Sequence, residues 1–297
     1  MIDEFKNLFQ EILENPTNWH YEIDKMLQYY ELLPPQDWSK IETCFITSTG
    51  RTGTKFLAKF FNEFNDFLSI HEPQPNFRKL SREYAEGKCG LEKATHEIEI
   101  KRRALCRKVK REKSKKYLES NPRLFSLLKP LKKVFEEPKI IHIVRDGRDF
   151  VRSGMSRPYG AFYSNKDIHP RLKAVDFTDD DFYHQWDDMS LFEKICWYWM
   201  KRDEFIYQEI KDYSNGITVR FEDIFKRPDD YIGLKEICDF LKLNDENAIP
   251  IFQNMQKNKI NKTKVYAIPH WKDWSEGKKL KFDQIAGKHM QKYYDYW

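Results

Sequence analysis

The stretch Ile46 to Leu57, ITSTGRTGTKFL, constrains this chain more than any other. A short apolar run ends in a polar turn with two glycines. An amphipathic run follows, with Phe56, Leu57, Phe60, Phe61 and Phe64 on one face. The pattern predicts a strand over Cys44 to Thr47, a tight turn, and a helix over Thr54 to Phe64. Gly50 and Gly53 let the backbone turn sharply and approach a ligand. The N–H groups and dipole of the helix start favour an anion there. Arg51 adds a permanent positive charge at the loop tip. The spacing is not that of an ATPase loop, which sets four residues between its first glycine and Gly-Lys-Ser/Thr. Here two residues separate Gly50 from Gly53, and Thr54 precedes Lys55. The bland alternative is an ordinary strand-to-helix turn that happens to hold two glycines.

KIIHIV, Lys139 to Val144, reads as a buried strand: β-branched, uninterrupted, and bounded by Pro138 and Arg145. Arg145 stands at its carboxyl end, where α/β sheets place ligands. Ser153 lies about two turns into a helix that starts near Arg148, on a face that can look back to that end. An arginine fork and a hydroxyl suit a phosphate monoester. Arg148 and Asp149 read as structural, capping the helix or pairing with each other. Further strands are expected over Phe67 to Ile70 and in GITVRF, and helices over 191–213, 231–242 and 246–258. Strands alternating with helices imply a parallel sheet with right-handed crossovers.

The expected fold is therefore α/β: a three-layer, P-loop-like arrangement with a central parallel sheet of about four to five strands flanked by helices. One domain over 1–297 is expected, with N-terminal helices within 1–40 and a basic helical insertion at 78–136. The 297 residues, 40% of them hydrophobic, suffice for one large core. A net charge of +5 fits an anionic ligand but does not demand nucleic acid. The five scattered cysteines show no metal spacing and read as reduced thiols, and no metal is expected. The acidic amphipathic start, MIDEFKNLFQEILE, resembles neither a signal peptide nor a membrane anchor, so a cytoplasmic location is expected.

Taken together, these motifs resemble those of sulfotransferases that use 3′-phosphoadenosine 5′-phosphosulfate (PAPS). RTGTK is similar to the family's 5′-phosphosulfate loop, Lys/Arg-Ser/Thr-Gly-Thr-Thr, with Lys55 in place of the second threonine. IIHIVRDGRDFVRS resembles the 3′-phosphate motif, a strand followed by Arg-Asp-Pro-Arg-Asp and a later serine. Arg145 and Ser153 stand at the family spacing, and Gly147 replaces the usual proline. VRFEDIFKRP and the tail from His270 resemble later family segments, so the likeness runs from about residue 43 to the end. It implies that Gly50, Arg51, Thr52, Gly53, Thr54, Lys55, Arg145 and Ser153 bind PAPS as the sulfuryl donor. It also implies that Arg51 stabilises charge on the leaving oxygen, and that the acceptor is a hydroxyl, carbohydrate or lipid-like.

An alcohol acceptor needs a base. SIHEPQP follows the second expected strand, and Glu72 is the first candidate there, His71 the second. Glu119, in YLESNPRLF, resembles a segment that lines the acceptor pocket in some members; an exposed helix-end glutamate is the alternative. His270, Trp271 and Lys272 either cover the nucleotide or pack on the core, Lys264 could reach the 3′-phosphate, and Trp197 and Trp199 read as core. Lys101 to Lys116 has ten basic residues against one acidic. It reads as a solvated helix, basic almost all round, or as a contact for an anionic acceptor or surface. Two other functions stay open at this level: a P-loop small-molecule kinase, against which the loop spacing and the lack of a clear magnesium-binding aspartate argue, and a non-catalytic anionic-surface or nucleic-acid binder using 101–116.

Overall fold

The computed structural model describes residues 19–113, 116–156, 162–163, 171–227, 229–257 and 266–294. Five parallel strands form one sheet in the order β2-β3-β1-β4-β5. They are β1 (Glu42–Ser48), β2 (Phe67–His71), β3 (Lys116–Ser120), β4 (Lys139–Val144) and β5 (Gly216–Arg220). β1 is central, with Ile46 level with Ser120 of β3 on one side and Ile141 of β4 on the other. It is buried from Thr43 to Ser48, as a strand covered on both faces must be.

Alternate side chains of the strands enter two separate cores. Phe45, Tyr117 and Ile140 pack with Trp38, Phe135 and the long helices α4 (Leu91–Arg111) and α7 (Leu191–Ile210). Trp197 and Trp199 of α7 are fully buried there, as their apolar surroundings in the sequence suggest. Ile46, Leu118 and Ile141 face the other way, against α2 (Thr54–Phe61), α9 (Ile232–Leu241) and α10 (Asp245–Lys257). The result is the three-layer α/β fold expected from the alternation of strands and helices.

The remaining helices are α1 (Trp19–Tyr29), α3 (Arg78–Ala85), α5 (Leu128–Val134), α6 (Gly147–Met155), α8 (Phe221–Phe225), α11 (Glu276–Phe282) and α12 (Lys288–Met290). One π turn, Asp283–Gly287, joins the last two. Asp203 of α7 ties this tail to the sheet. Its Oδ2 lies 2.7 Å from His289 Nε2, and its Oδ1 makes a 2.9 Å ion contact with His142 Nε2 of β4. Burial alone would raise the Asp203 pKa; the two imidazoles outweigh it and hold the carboxyl well below its usual range.

Of the N-terminal helices expected within 1–40, only α1 falls within the described residues. The segment 78–136 is not a helical insertion, because its middle is β3, which lies between β1 and β2. KYLES hides this strand by carrying a glutamate on an inward face. Glu119 is fully buried and accepts from Arg102 through both oxygens, at 2.7 and 2.8 Å, as well as from Tyr117 Oη and Asn121 Nδ2.

The same pair overturns the reading of 101–116 as a solvated helix. Arg102 is fully buried and Arg103 nearly so, alongside Ala104, Leu105, Cys106 and Val109. Much of the charge of α4 is used inside the chain: Arg107 and Arg111 pair with Asp24 of α1, Arg103 with Glu99, and Lys101 with Glu97. The part of that run at 114 and 115 lies outside the described residues.

The buried pair makes a direct prediction. Glu119→Leu leaves the Arg102 guanidinium uncompensated and should cost about 3–5 kcal/mol, read as a lower urea midpoint. The double variant R102M/E119L should recover a large part of that loss. A double variant as unstable as the single one would show that the pair is not the source of the effect.

Candidate active site

The turn after β1 has three left-handed residues, Gly50 (φ 97°), Arg51 (φ 63°) and Gly53 (φ 73°). Glycine takes this region freely; Arg51 does so at a cost of about 1–2 kcal/mol. A Cβ on Gly53 would lie 2.6 Å from the Phe225 ring, so only glycine fits there. Ser48 Oγ braces the turn by accepting from Gly50 N at 3.1 Å and from Thr52 Oγ1 at 2.7 Å.

The carbonyl edge of the loop is occupied by partners from the rest of the fold. Arg202 Nη1 donates to Thr49 O at 2.7 Å, Arg145 Nη1 to Arg51 O at 2.8 Å, and Ser120 Oγ to Thr54 O at 2.8 Å. The Gly53 carbonyl accepts from Leu57 N as α2 begins. With its carbonyls engaged in this way, the loop and the start of α2 line a cavity, an arrangement suited to an anion.

Arg145 and Ser153, from the second motif, reach this loop directly. Besides the Arg145 bond to the Arg51 carbonyl, Ser153 Oγ accepts from Arg51 Nε at 3.2 Å. Burial, and then the facing Arg145, lower the Arg51 pKa from its ordinary value. Two guanidinium groups thus face one space, where an anion would relieve their repulsion. The Arg145 guanidinium also lies over the Phe221 ring, 4.9 Å from its centroid.

Arg148 and Asp149 are structural, but not as partners of each other. Arg148 forks onto Asp146, which also caps α6 by accepting from Arg148 N. Asp149 accepts from Lys226 at 2.8 Å. Gly147 is explained by Trp199, whose indole lies 2.8 Å from where a Cβ would stand. A proline ring has no space there.

On the other side of β1, at the ends of β2 and β3, lie His71 and Glu72. His71 Nδ1 is 2.9 Å from the Ser120 carbonyl. A carbonyl only accepts, so Nδ1 carries the proton and Nε2 presents a lone pair. Burial lowers the His71 pKa below its ordinary value, Lys55 and Arg123 add to this, and Glu72 opposes it. Glu72 has a left-handed backbone (φ 46°), and its Oε2 accepts from Arg123 Nη2 at 2.7 Å. The His71 and Glu72 side chains are 3.9 Å apart.

One cavity of about 920 Å³ connects the two sides. Gly50 to Lys55 and Arg145 line it, as do His71 and Glu72; Ser153 touches it through Arg51. Glu119 does not line it, because the buried pair with Arg102 consumes that carboxylate; neither its pocket role nor the exposed helix end holds. Trp271 packs on the core and takes the Arg148 guanidinium at 3.7 Å, while Tyr266 is the tail residue that lines the cavity. Lys264 lies outside the described residues. The sequence reading passed over Arg78, Arg123, Arg171, Tyr198 and Arg202, all of which line the cavity. The i, i+4 pairing of Tyr198 with Arg202 on a core helix was the one signal available.

The model of the sulfotransferase domain family matches residues 42–295. The fold resembles the sulfotransferase domain from the curacin biosynthetic pathway, with a TM-score of 0.52 and 15% identity, covering 84% of this chain and 98% of that one. It also resembles the sulfotransferase domain of the Synechococcus olefin synthase, with a TM-score of 0.50 and 15% identity, covering 89% and 99%. No curated protein matches by sequence. Among the described residues no helix is long and apolar enough to cross a membrane. With that match over residues 42–295, the chain belongs to the sulfotransferase domain family.

Proposed function

We propose that the chain transfers a sulfuryl group from PAPS to a hydroxyl by in-line displacement. The observation that carries this reading is the meeting of Arg145, Ser153 and the glycine loop around Arg51. It joins a phosphosulfate-type cradle to a phosphate-monoester fork within one cavity. PAPS supplies the SO₃ group and takes the bridging oxygen away as 3′-phosphoadenosine 5′-phosphate (PAP). The N–H groups of the loop hold the 5′ end, and Arg145 with Ser153 hold the 3′-phosphate. Arg51 stabilises the charge that grows on the bridging oxygen as the S–O bond breaks. The new bond forms between sulfur and the acceptor oxygen, and the hydroxyl proton passes to a base at the end of β2.

His71 and Glu72 share that position. The lone pair of His71 Nε2 is oriented by the Nδ1–Ser120 contact, whereas Glu72 is committed to Arg123. This geometry favours His71 as the acceptor of the proton, its ring held by the Ser120 carbonyl. The donor motifs lie on the β1 and β4 side, and the base lies on the β3 and β2 side. Attack and departure are then opposed across the loop, as in-line transfer requires.

Three outcomes test the reading. PAP at a hundred times its dissociation constant should stabilise the fold by about 2.7 kcal/mol, and ADP far less; equal thermal shifts would remove the 3′-phosphate site. Arg51→Ala should keep the fold and lower turnover by about 10²–10³; near-normal turnover would reduce Arg51 to a loop support. His71→Asn should lower turnover by about 10²–10⁴ and Glu72→Gln by less. Because the His71 pKa is depressed, the imidazole is neutral and competent above its ordinary pKa. Activity should then hold through neutral pH and fall on the acid side, with an inflection below about 6.5 that His71→Asn abolishes. The reverse ranking of the two variants would make Glu72 the base.

A further inference from the structure

Besides the glycine loop and Arg145, the cavity is lined by Arg78, Arg82, Arg123, Arg171 and Arg202. Glu72 is the one carboxylate among the described residues that line the cavity. Glu86, set behind Arg82 at 3.3 Å, takes up that arginine. The donor reading uses Arg51, Lys55 and Arg145 and leaves this second group of guanidinium ions without a role.

Their positions are built rather than incidental. Arg202 is nearly fully buried and is fixed by the carbonyls of Thr49 and Pro122, with the Tyr198 hydroxyl 3.3 Å from its Nη1. The Arg171 guanidinium lies over Phe162, 3.8 Å from the ring centroid. Arg123 is held by Glu72, next to the proposed base.

The field of this group shows in its neighbours. Burial, then Arg123, lower the Arg78 pKa; Glu72 opposes, and Arg171 lowers it further. Burial alone would raise the Tyr198 phenol, yet Arg202 and Arg171 outweigh it and bring the pKa below the ordinary value. Holding like charges together in a partly desolvated space is costly, and an anion of the right size removes the cost. Apolar surface from Phe125, Phe162 and Leu172 lies beside the arginines. The cavity of about 920 Å³ must hold donor and acceptor together, which favours a compact acceptor.

We infer that the acceptor is a small hydroxyl compound bearing its own oxyanion on an apolar body, with Arg78, Arg123 and Arg171 gripping the oxyanion and so presenting the hydroxyl to His71. This inference rests on the sulfuryl-transfer reading and narrows its acceptor. A carboxylate, a sulfonate and a phosphate ester share the required chemistry. The site selects by charge and compactness first, and by the length of the body between oxyanion and hydroxyl second.

The test uses the full chain and sets of hydroxyl compounds that share one scaffold and end in carboxylate, sulfonate, phosphate or neutral carboxamide. Binding to the PAP-saturated protein is measured by titration calorimetry, and transfer is measured with labelled PAPS. An anionic member should bind and react about 10- to 100-fold better than its carboxamide, the range for hydrogen bonds to a charged group. Arg171→Gln and Arg78→Gln should each erode that preference, mainly through KM, while PAP affinity and the PAP-induced thermal shift persist. The persistence shows that the variants are folded. If carboxamides match the anions, if no member binds, or if the preference survives both substitutions, the anionic acceptor is overturned and the donor reading stands. If PAP itself fails to bind, both fall together.

Discussion

Arg102 and Glu119 form the buried pair on which the β2 and β3 side of the site depends. Glu119 sits on β3, beside the central strand, where a bare carboxylate would be strongly destabilising. Arg102 reaches it from α4 and makes two bonds to it, while its Nη1 donates to the Pro75 carbonyl at 3.0 Å and its guanidinium stacks on Phe77. One side chain thus joins α4, β3 and the segment that runs from Glu72 to α3. His71, Glu72 and Arg78 lie along that segment, and Arg123 follows β3. A buried ion pair is weak evidence of net stability. Its value here is geometric, because two segments that carry the acceptor side can meet in only one way.

The glycine turn around Arg51 and the strand end at Arg145 were legible in the sequence because each is local. A strand, a glycine turn and a helix start are encoded within a dozen residues around Arg51, and again around Arg145. The meeting of these two parts follows from a parallel sheet that brings the carboxyl ends of β1 and β4 side by side. β3 was hidden for a physical reason. Its inward glutamate and the basic residues before it give a polar pattern, and only the partner on α4 makes that pattern compatible with burial. The basic run looked solvated because part of its compensation lies outside the run itself, in Glu97 and Glu99 before it, Glu119 after it and Asp24 of α1. The acceptor arginines come from α3, from the segment after β3, from the approach to α7 and from α7 itself, so no single window contains their pattern.

Departures from the family motifs are informative where the structure supplies the neighbour. Gly147 stands where proline is usual, and Trp199 fills the volume that a side chain at that position would need. The buried indole and the glycine form one packing solution, in which α6 sits close against α7. Lys55 stands where a second threonine is usual. It lines the cavity, and its charge is among those that lower the His71 pKa. A hydroxyl that would serve only the donor is thereby replaced by a cation felt on both sides of the loop.

The loop between the two sides is held by its carbonyls from opposite directions. Arg145 takes the Arg51 carbonyl from the donor side, and Arg202 takes the Thr49 carbonyl from the acceptor side. Arg202 is itself in contact with Tyr198, within the group that would grip an anionic acceptor. A displacement of Arg202 toward that anion would therefore lengthen its bond to Thr49 at the root of the phosphosulfate loop. The rigid alternatives around it, the Pro122 carbonyl and the Phe125 ring 4.4 Å away, resist such a displacement. Arg202 thus belongs to the frame, which leaves the proposed recognition to the less buried Arg78, Arg123 and Arg171. This division keeps the loop's N–H edge fixed whether or not the acceptor is present, as a transition state that is stabilised by preorganised dipoles requires.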